Sequence, residues 1–128
     1  MKALLDTHVF LWLMMGDGRL SEKAREAYLD PQNSIFFSAA SFWEVGIKTS
    51  LGKLSLKNGW LKGFEDQMKK NTIQWLPIER LHCEEVSKLP FHHRDPFDRM
   101  LIAQALVEEL ALISGDPRFA EYGVNCLW

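Results

Sequence analysis

The stretch ALLDTH, residues 3 to 8, places a carboxylate directly after the first apolar run of the chain. The run Ala3 to Leu5 is typical of a short strand that is covered on both faces. Asp6 follows where such a strand would end, and Asp is also a favoured N-cap for the helix predicted from about residue 8. Asp6 is therefore either a helix cap or part of a functional site, and the other strand ends decide between these roles.

Short apolar runs alternate along the sequence with longer segments of helical spacing. The strands are predicted at ALLD (3–6), SIFFS (34–38), IQWLPI (73–78), ALIS (111–114) and VNCLW (124–128). The helices are predicted at about 8–15, 21–29, 41–49, 59–70, 79–88 and 96–110. Strands separated by helices predict an α/β fold with a mainly parallel sheet of about five strands and helices on both sides.

Composition indicates one ordinary globular domain, residues 1–128, without a linker or a repeat. The formal net charge of -2 gives no global attraction for nucleic acid, so a polyanion would have to be held locally. Cys83 and Cys126 lack the spacing of a zinc site or a disulfide framework, which favours a reduced, intracellular protein. Because no apolar run approaches the roughly 18 residues of a membrane span, we expect a cytoplasmic protein that has no membrane partner.

Three further acids fall near predicted strand ends, where ligands bind in α/β sheets. Glu44 follows the second strand among apolar neighbours, where a carboxylate is costly unless something compensates it. Ser41 and Glu44 also have the spacing of a capping box, which offers a purely local explanation. Pro96 suits the first position of a helix, which makes Asp95 the N-cap and leaves Asp98 as the better ligand candidate.

Asp116 lies in GDPRF after the fourth strand, and its neighbours Gly115 and Pro117 are ordinary turn residues. Each acid alone has a local explanation, but Asp6, Glu44, Asp98 and Asp116 all map to one edge of the predicted sheet. Crowded carboxylates repel one another unless protons or a cation intervene. Mg²⁺ and Mn²⁺ prefer oxygen ligands, so the pattern predicts a site for one of these ions.

Four segments, spread over nearly the whole chain, resemble the PIN-domain ribonucleases, and most closely the VapC-type toxins of bacterial type II toxin–antitoxin systems. They are LLDTHVFLW, FFSAASFWEVGIKTSLGKL, LPFHHRDPFDRMLIAQA and LISGDPRFAEYGV. The resemblance implies a three-layer α/β/α sandwich and a metal-dependent endoribonuclease that uses Mg²⁺ or Mn²⁺. The family's four catalytic acids carry over to Asp6, Glu44, Asp98 and Asp116. Of these, Asp6, Asp98 and Asp116 are expected to bind the metal.

The resemblance also implies supporting residues and partners. Thr7 matches a hydroxyl residue that joins the site's hydrogen bonding, and Asp95 is expected to cap the site helix. Three arginines flank the acids and are expected to contact substrate phosphates: Arg94, Arg99 and Arg118. The family implies an RNA substrate, a cognate antitoxin protein and a homodimer. The segments MMGDGRLSEKAREAYL and GWLKGFEDQM mix apolar and charged residues, as either an antitoxin groove or core packing would.

Two other functions fit parts of the pattern. A phosphatase of the haloacid dehalogenase type also places an Asp after its first strand, but needs a second acid two residues later, where this chain has His8. A catalytically silent PIN-like module would bind RNA or protein without cutting. Loss of one site acid would have indicated such a module, and all four are present. His92 and His93 are assigned no role in the site.

Overall fold

A parallel sheet of five strands forms the middle layer of the protein in the computed structural model, which describes residues 1–70 and 72–128. The strands are β1 (Lys2–Leu5), β2 (Ser34–Ser38), β3 (Gln74–Leu76), β4 (Ala111–Ile113) and β5 (Cys126–Leu127). They lie in the order β3-β2-β1-β4-β5, and all four pairings are parallel. The first strand of the chain is therefore the centre of the sheet.

Within the described residues, six α-helices cover the two faces of the sheet. They are α1 (Thr7–Met15), α2 (Glu22–Leu29), α3 (Ala39–Ser50), α4 (Trp60–Lys69), α5 (Arg80–Lys88) and α6 (Pro96–Glu108). Every predicted helix and strand is present, with bounds within two residues of those predicted, so the α/β/α fold is confirmed. In the described part of the chain, no helix combines the length and the apolar character that crossing a membrane requires.

The apolar residues of β1 are divided between two cores, one on each face of the sheet. Ala3 and Leu5 belong to a cluster that includes residues of α1, α2 and α4. Leu4 points to the opposite face and joins a cluster built largely from α6. Successive side chains of a strand alternate between faces, so a strand covered by helices on both sides needs an unbroken apolar run. This explains the composition of residues 3–5.

The parallel strands bring their carboxyl ends to one edge of the sheet. The backbone N–H of Asp6 donates to the carbonyl of Ile113 over 3.1 Å, which joins the ends of β1 and β4. β2 ends at Ser38, whose hydroxyl accepts a hydrogen bond from the backbone of Ala40 and caps α3. The segments that follow β1, β2 and β4 therefore start from one edge, which is where the predicted acids lie.

Candidate active site

Asp6 is both a helix cap and a buried polar residue at the sheet edge. Its Oδ1 accepts a hydrogen bond from the backbone N–H of His8 over 3.2 Å, which caps α1. Its Oδ2 accepts a hydrogen bond from Ser114 Oγ over 2.7 Å. The two roles that the sequence left open are thus compatible, because each carboxylate oxygen serves a different neighbour.

Thr7 connects the first helix to the third. Its Oγ1 donates to Ser41 Oγ over 2.7 Å, and both residues are buried. Ser41 lies inside α3, which is capped by Ser38, so the capping-box explanation of Glu44 is wrong. The local pattern misled because Ser38, at the end of β2, offers its hydroxyl to the first free backbone N–H groups of the helix. Glu44 is consequently free of any capping duty.

Glu44 is a carboxylate with only 2% of its surface exposed. Its Oε2 pairs with Lys48 Nζ over 2.6 Å, one turn along α3, and this hydrogen bond raises the pKa of Lys48. Its other oxygen, Oε1, is buried and has no hydrogen-bond partner among the described residues. A buried carboxylate oxygen without a partner is costly, and a bound cation would remove that cost.

Asp95 and Asp98 play different roles at the start of α6. Oδ1 of Asp95 accepts from the backbone N–H groups of Phe97 and Asp98, at 2.8 and 3.0 Å, and so caps the helix. Asp98 is buried and its side chain is not engaged in capping. Burial raises the pKa of Asp98 to about 8, with further contributions from the negative charges of Asp6, Asp95 and Glu44. At neutral pH this carboxyl holds a proton that a cation would replace.

Asp116 is half-buried and is paired with Arg118. Arg118 donates to both oxygens of its carboxylate, at 3.1 Å from Nε to Oδ1 and 2.9 Å from Nη2 to Oδ2. Partial burial raises the pKa of Asp116, but the hydrogen bonds from Arg118 outweigh it and the net pKa is below the ordinary value. The lowered pKa favours the ionised form of Asp116, and Arg118 already balances part of that charge.

His93 is a site residue that sequence reasoning missed. Its Nε2 lies 2.8 Å from Oδ2 of Asp98 and 3.4 Å from Oδ2 of Asp116, and the residue is buried. One ligand atom from each of these three residues lies within 4.8 Å of the others, a spacing that a metal ion could bridge. The only signal in the sequence was the position of His93 just before the cap of α6.

The three arginines predicted to contact phosphates lie in different surroundings. Arg99 is buried, and its guanidinium donates to four backbone carbonyls: Val86, Leu89, Pro90 and His93. Its donors are committed to the loop before α6, so the predicted phosphate contact of Arg99 does not fit this arrangement. Arg94 and Arg118 are exposed and line the site cavity.

The site opens into a cavity of about 570 Å³. Carboxyl groups of Asp95 and Asp98 lie in its wall, beside a set of basic side chains: His8, Lys48, His92, His93, Arg94 and Arg118. A side-chain hydrogen bond to the carboxylate of Asp6 raises the pKa of His8, which favours its protonated form. Acidic groups for a cation and basic groups for a polyanion thus share one opening.

The donor set fits a hard divalent cation. The acids supply carboxylate oxygens, which Mg²⁺ and Mn²⁺ prefer. Two observations indicate that a bound cation would stabilise the site: the raised pKa of Asp98 and the unpartnered Oε1 of Glu44. Asp6 and Glu44 lie outside the tight group of His93, Asp98 and Asp116, yet their charges act on Asp98. All four predicted acids therefore belong to one electrostatic site.

The PIN domain model matches residues 3–125, and the chain belongs to that family. No curated protein sequence matches the chain. The family predicted from the sequence is confirmed, and its matched region spans every element from β1 to β4.

Several solved structures share the fold at low sequence identity. The VapBC2 structure from Rickettsia felis, bound to a promoter DNA fragment, aligns with a TM-score of 0.70 at 12% identity, covering 98% of this chain and 97% of that one. The DNA-bound VapBC structure from Salmonella typhimurium aligns with a TM-score of 0.71 at 18% identity, covering 98% of this chain and 96% of that one. The VapBC-1 structure from nontypeable Haemophilus influenzae aligns with a TM-score of 0.68 at 17% identity, covering 98% of this chain and 96% of that one. These likenesses establish the fold over the full length.

Proposed function

We propose that this PIN domain is a metal-dependent endoribonuclease and the toxin component of a type II toxin–antitoxin system of the VapC type. The observation that carries the proposal is the buried carboxyl of Asp98, whose pKa is raised to about 8 beside the charges of Asp6 and Glu44. Such a group is stable either with a proton or with a cation. Structural neighbours from VapBC complexes support the toxin assignment.

Asp6, Asp98 and Asp116 would hold Mg²⁺ or Mn²⁺, and Glu44 would complete the site through Oε1. A bound ion supplies Lewis acidity toward the phosphodiester and lowers the pKa of water. Ser114 orients Asp6 by donating to its Oδ2. We assign the unpartnered Oε1 of Glu44 the role of accepting a proton from water or orienting it. Thr7 keeps α1 against α3 through Ser41, and Asp95 fixes the start of α6.

RNA must approach a pocket of negative charge, so its phosphates need local cations. Arg94 is exposed at the cavity and is the arginine best placed for this role. Arg118 lies on the same cavity and keeps 55% of its side chain exposed despite its pairing with Asp116. Lys48 pairs with Glu44 and also lines the opening, which makes it a third phosphate contact.

An antitoxin and a second copy of the chain are the protein partners that we propose. The apolar residues of α1, α2 and α4 are largely used by the core, but Met15, Leu29 and Leu61 remain exposed along these helices. We assign this surface to the antitoxin. Trp43 and Phe91 are exposed beside the active site and border an apolar cavity of about 460 Å³, a surface that fits a homodimer contact. Size-exclusion chromatography with light scattering, alone and after co-expression with a neighbouring small gene, measures both associations.

The enzymatic proposal is tested by incubating purified protein with a panel of structured RNAs in Mg²⁺, in Mn²⁺ and in EDTA. We expect cleavage with either ion and none in EDTA. Asp6→Asn and Glu44→Gln should each reduce the rate at least about 100-fold, since they remove site acids. Glu26→Gln, an exposed acid of α2, is the matched control and should cleave like the wild type.

Two results would overturn the proposal in different ways. Cleavage by Asp6→Asn at the wild-type rate would exclude the acidic pocket as the site of hydrolysis. Binding of RNA by the wild type without cleavage of any RNA, in either ion, would favour the catalytically silent module instead. Sequencing of RNA ends after brief expression in cells is a separate experiment that identifies the target.

A further inference from the structure

His93 lies between two acids of the site that come from different elements. Asp98 belongs to α6, and Asp116 follows β4, yet Nε2 of His93 is 2.8 Å from one carboxylate and 3.4 Å from the other. Only 3% of the histidine is exposed. A buried imidazole at this position affects the geometry of both acids, and its role depends on whether Nε2 carries a proton.

The surrounding fold fixes the position of His93. Its backbone N–H donates to the hydroxyl of Tyr122 over 2.8 Å, and its carbonyl accepts from Arg99 over 3.2 Å. The ring packs against Phe119, with 5.7 Å between the ring centroids. These contacts come from two other segments, α6 and residues 119–122, so the orientation of the imidazole is imposed by tertiary structure rather than by the local loop.

The other ring nitrogen defines the tautomer. The backbone N–H of Asp95 donates to Nδ1 of His93 over 3.2 Å. Nδ1 must therefore present a lone pair, and the neutral ring carries its proton on Nε2. A histidine that binds a metal through Nε2 needs the opposite arrangement, with Nδ1–H donating to an acceptor. The spacing of His93, Asp98 and Asp116 would suit a three-residue metal site, but the proton on Nε2 argues against His93 as a ligand.

The Nε2 atom has two acceptors nearby but no aligned hydrogen bond. It is buried and makes no hydrogen bond of good geometry among the described residues, although Oδ2 of Asp98 is close. A donor in this position is attracted to both flanking carboxylates without forming a well-aligned hydrogen bond to either. When Asp98 is ionised, such a group reduces the repulsion between the two acids and limits how far apart they can move.

We propose that His93 is a positioning residue whose Nε2–H holds Asp98 and Asp116 together from one side, and that it is not a ligand of the metal. This inference rests on the proposed function, because positioning matters only if these acids bind a cation. Nε2–H of His93 lies 2.8 Å from Oδ2 of Asp98, which leaves the second oxygen of that carboxyl to the ion. Arg99 supports the arrangement indirectly, since it binds the carbonyl of His93.

The tautomer is measured directly by long-range ¹H–¹⁵N correlation spectra of protein labelled with ¹⁵N-histidine, with His93→Gln used to assign the signal. Spectra are recorded on the same sample in EDTA and after addition of Mg²⁺. We expect the Nε2–H pattern for His93 in both. A change to the Nδ1–H pattern on addition of Mg²⁺, or its presence in EDTA, would show that Nε2 is a ligand or is free to become one, and would overturn the proposal.

Binding of Mn²⁺, measured by calorimetry, tests the positioning role. His93→Gln keeps a donor near the place of Nε2, whereas His93→Asn places its amide near Nδ1. We expect His93→Asn and His93→Ala to weaken Mn²⁺ binding about 10- to 100-fold, as loss of an outer hydrogen-bond partner does. His93→Gln should bind Mn²⁺ within about threefold of the wild type, because its amide keeps a hydrogen-bond donor near the two acids.

His82 provides the matched control for loss of a buried histidine. It is 1% exposed, and its Nδ1 accepts from the backbone of Glu79 at the start of α5. His82→Ala should lower the thermal midpoint but leave Mn²⁺ affinity unchanged. Wild-type affinity in His93→Ala would overturn the positioning role. If the wild type itself binds no Mn²⁺ and cuts no RNA, the proposed function fails; a normal Mn²⁺ site with an Nδ1–H signal from His93 overturns this inference alone.

Discussion

Ser114 donates a hydrogen bond to Oδ2 of Asp6 over 2.7 Å, which links the end of β4 to the end of β1. The same hydroxyl accepts a hydrogen bond from the backbone N–H of Asp116 over 3.1 Å. One small side chain thus connects two of the acids that the sequence assigned to the metal. Loss of the Ser114 hydroxyl should therefore disturb the positions of both Asp6 and Asp116.

Ser114→Ala should lower the free energy of unfolding by about 1–3 kcal/mol, because a buried carboxylate oxygen loses its donor. Mn²⁺ affinity should fall about 10-fold, since Asp6 is no longer held in place. Urea unfolding and calorimetry measure the two effects. Ser87→Ala, an exposed serine of α5, should change neither quantity. Unchanged Mn²⁺ affinity in Ser114→Ala would contradict this role.

The raised pKa of Asp98 predicts how stability depends on pH in the absence of metal. Its carboxyl has a pKa of about 8 in the folded protein, against an ordinary value of 3.8. Between these values the folded state holds a proton that the unfolded state has released. The free energy of unfolding should therefore fall as pH rises through this range, and the contribution is fully present only at low pH.

Asp98→Asn removes this titration. In EDTA the stability of the variant relative to the wild type should increase from pH 5 to pH 9, as measured by urea unfolding. Asp66→Asn, which changes a half-exposed acid of α4, should keep the wild-type pH dependence. Addition of Mn²⁺ at pH 8 should stabilise the wild type and not Asp98→Asn. The same decline between pH 5 and 9 in Asp98→Asn and the wild type would exclude Asp98 as its source.

Arg99 should prove to be a structural residue rather than a phosphate contact. Its guanidinium reaches carbonyls on both sides of the loop before α6, at 2.8 to 3.2 Å. A lysine cannot reproduce this forked arrangement, so Arg99→Lys should lower the free energy of unfolding by about 3 kcal/mol. Arg94→Lys is the control and should leave stability within about 0.5 kcal/mol. Equal stability of the two variants would contradict the assignment.

Arg94 should contribute to RNA binding and not to the stability of the fold. In an Asp6→Asn background, which prevents cleavage, Arg94→Ala should weaken binding of single-stranded RNA. It should also reduce the slope of the logarithm of affinity against the logarithm of salt concentration by about 0.7, the value for one lost phosphate contact. Arg25→Ala, on the exposed side of α2, should change neither measurement. An unaltered slope in Arg94→Ala would remove this residue from the RNA surface.

Local chemistry made much of the fold predictable. The unbroken apolar run of β1 reflects its place between two helical layers, and Asp95 with Pro96 marked the start of α6 correctly. The end of that helix was placed two residues too late, because it terminates at Glu109 with φ of 55°. Backbone hydrogen bonds from Glu109 and Leu110 to the carbonyl of Ala105 close the helix in this conformation, and the sequence carries no glycine to mark it.

The site was predictable where strand ends determine position, and less so where tertiary contacts do. Asp6 lies at the sheet edge because it follows the central strand. Arg99 adjoins Asp98 in sequence, but consecutive helical residues point in different directions, so Arg99 faces the loop instead. His93 was missed because its partners Tyr122 and Asp116 are distant in sequence. No local pattern encodes such contacts.

The chemistry of the RNA ends tests most directly whether the acidic pocket hydrolyses RNA with the help of a metal ion. Hydrolysis by water at a metal-carboxylate site leaves a 5′-phosphate and a 3′-hydroxyl, whereas attack by the neighbouring 2′-hydroxyl of RNA leaves a cyclic phosphate. We expect 5′-phosphate and 3′-hydroxyl ends from the wild type in Mn²⁺, and no cleavage in EDTA or by Asp6→Asn. Cyclic phosphate ends, or cleavage that persists in EDTA, would contradict it.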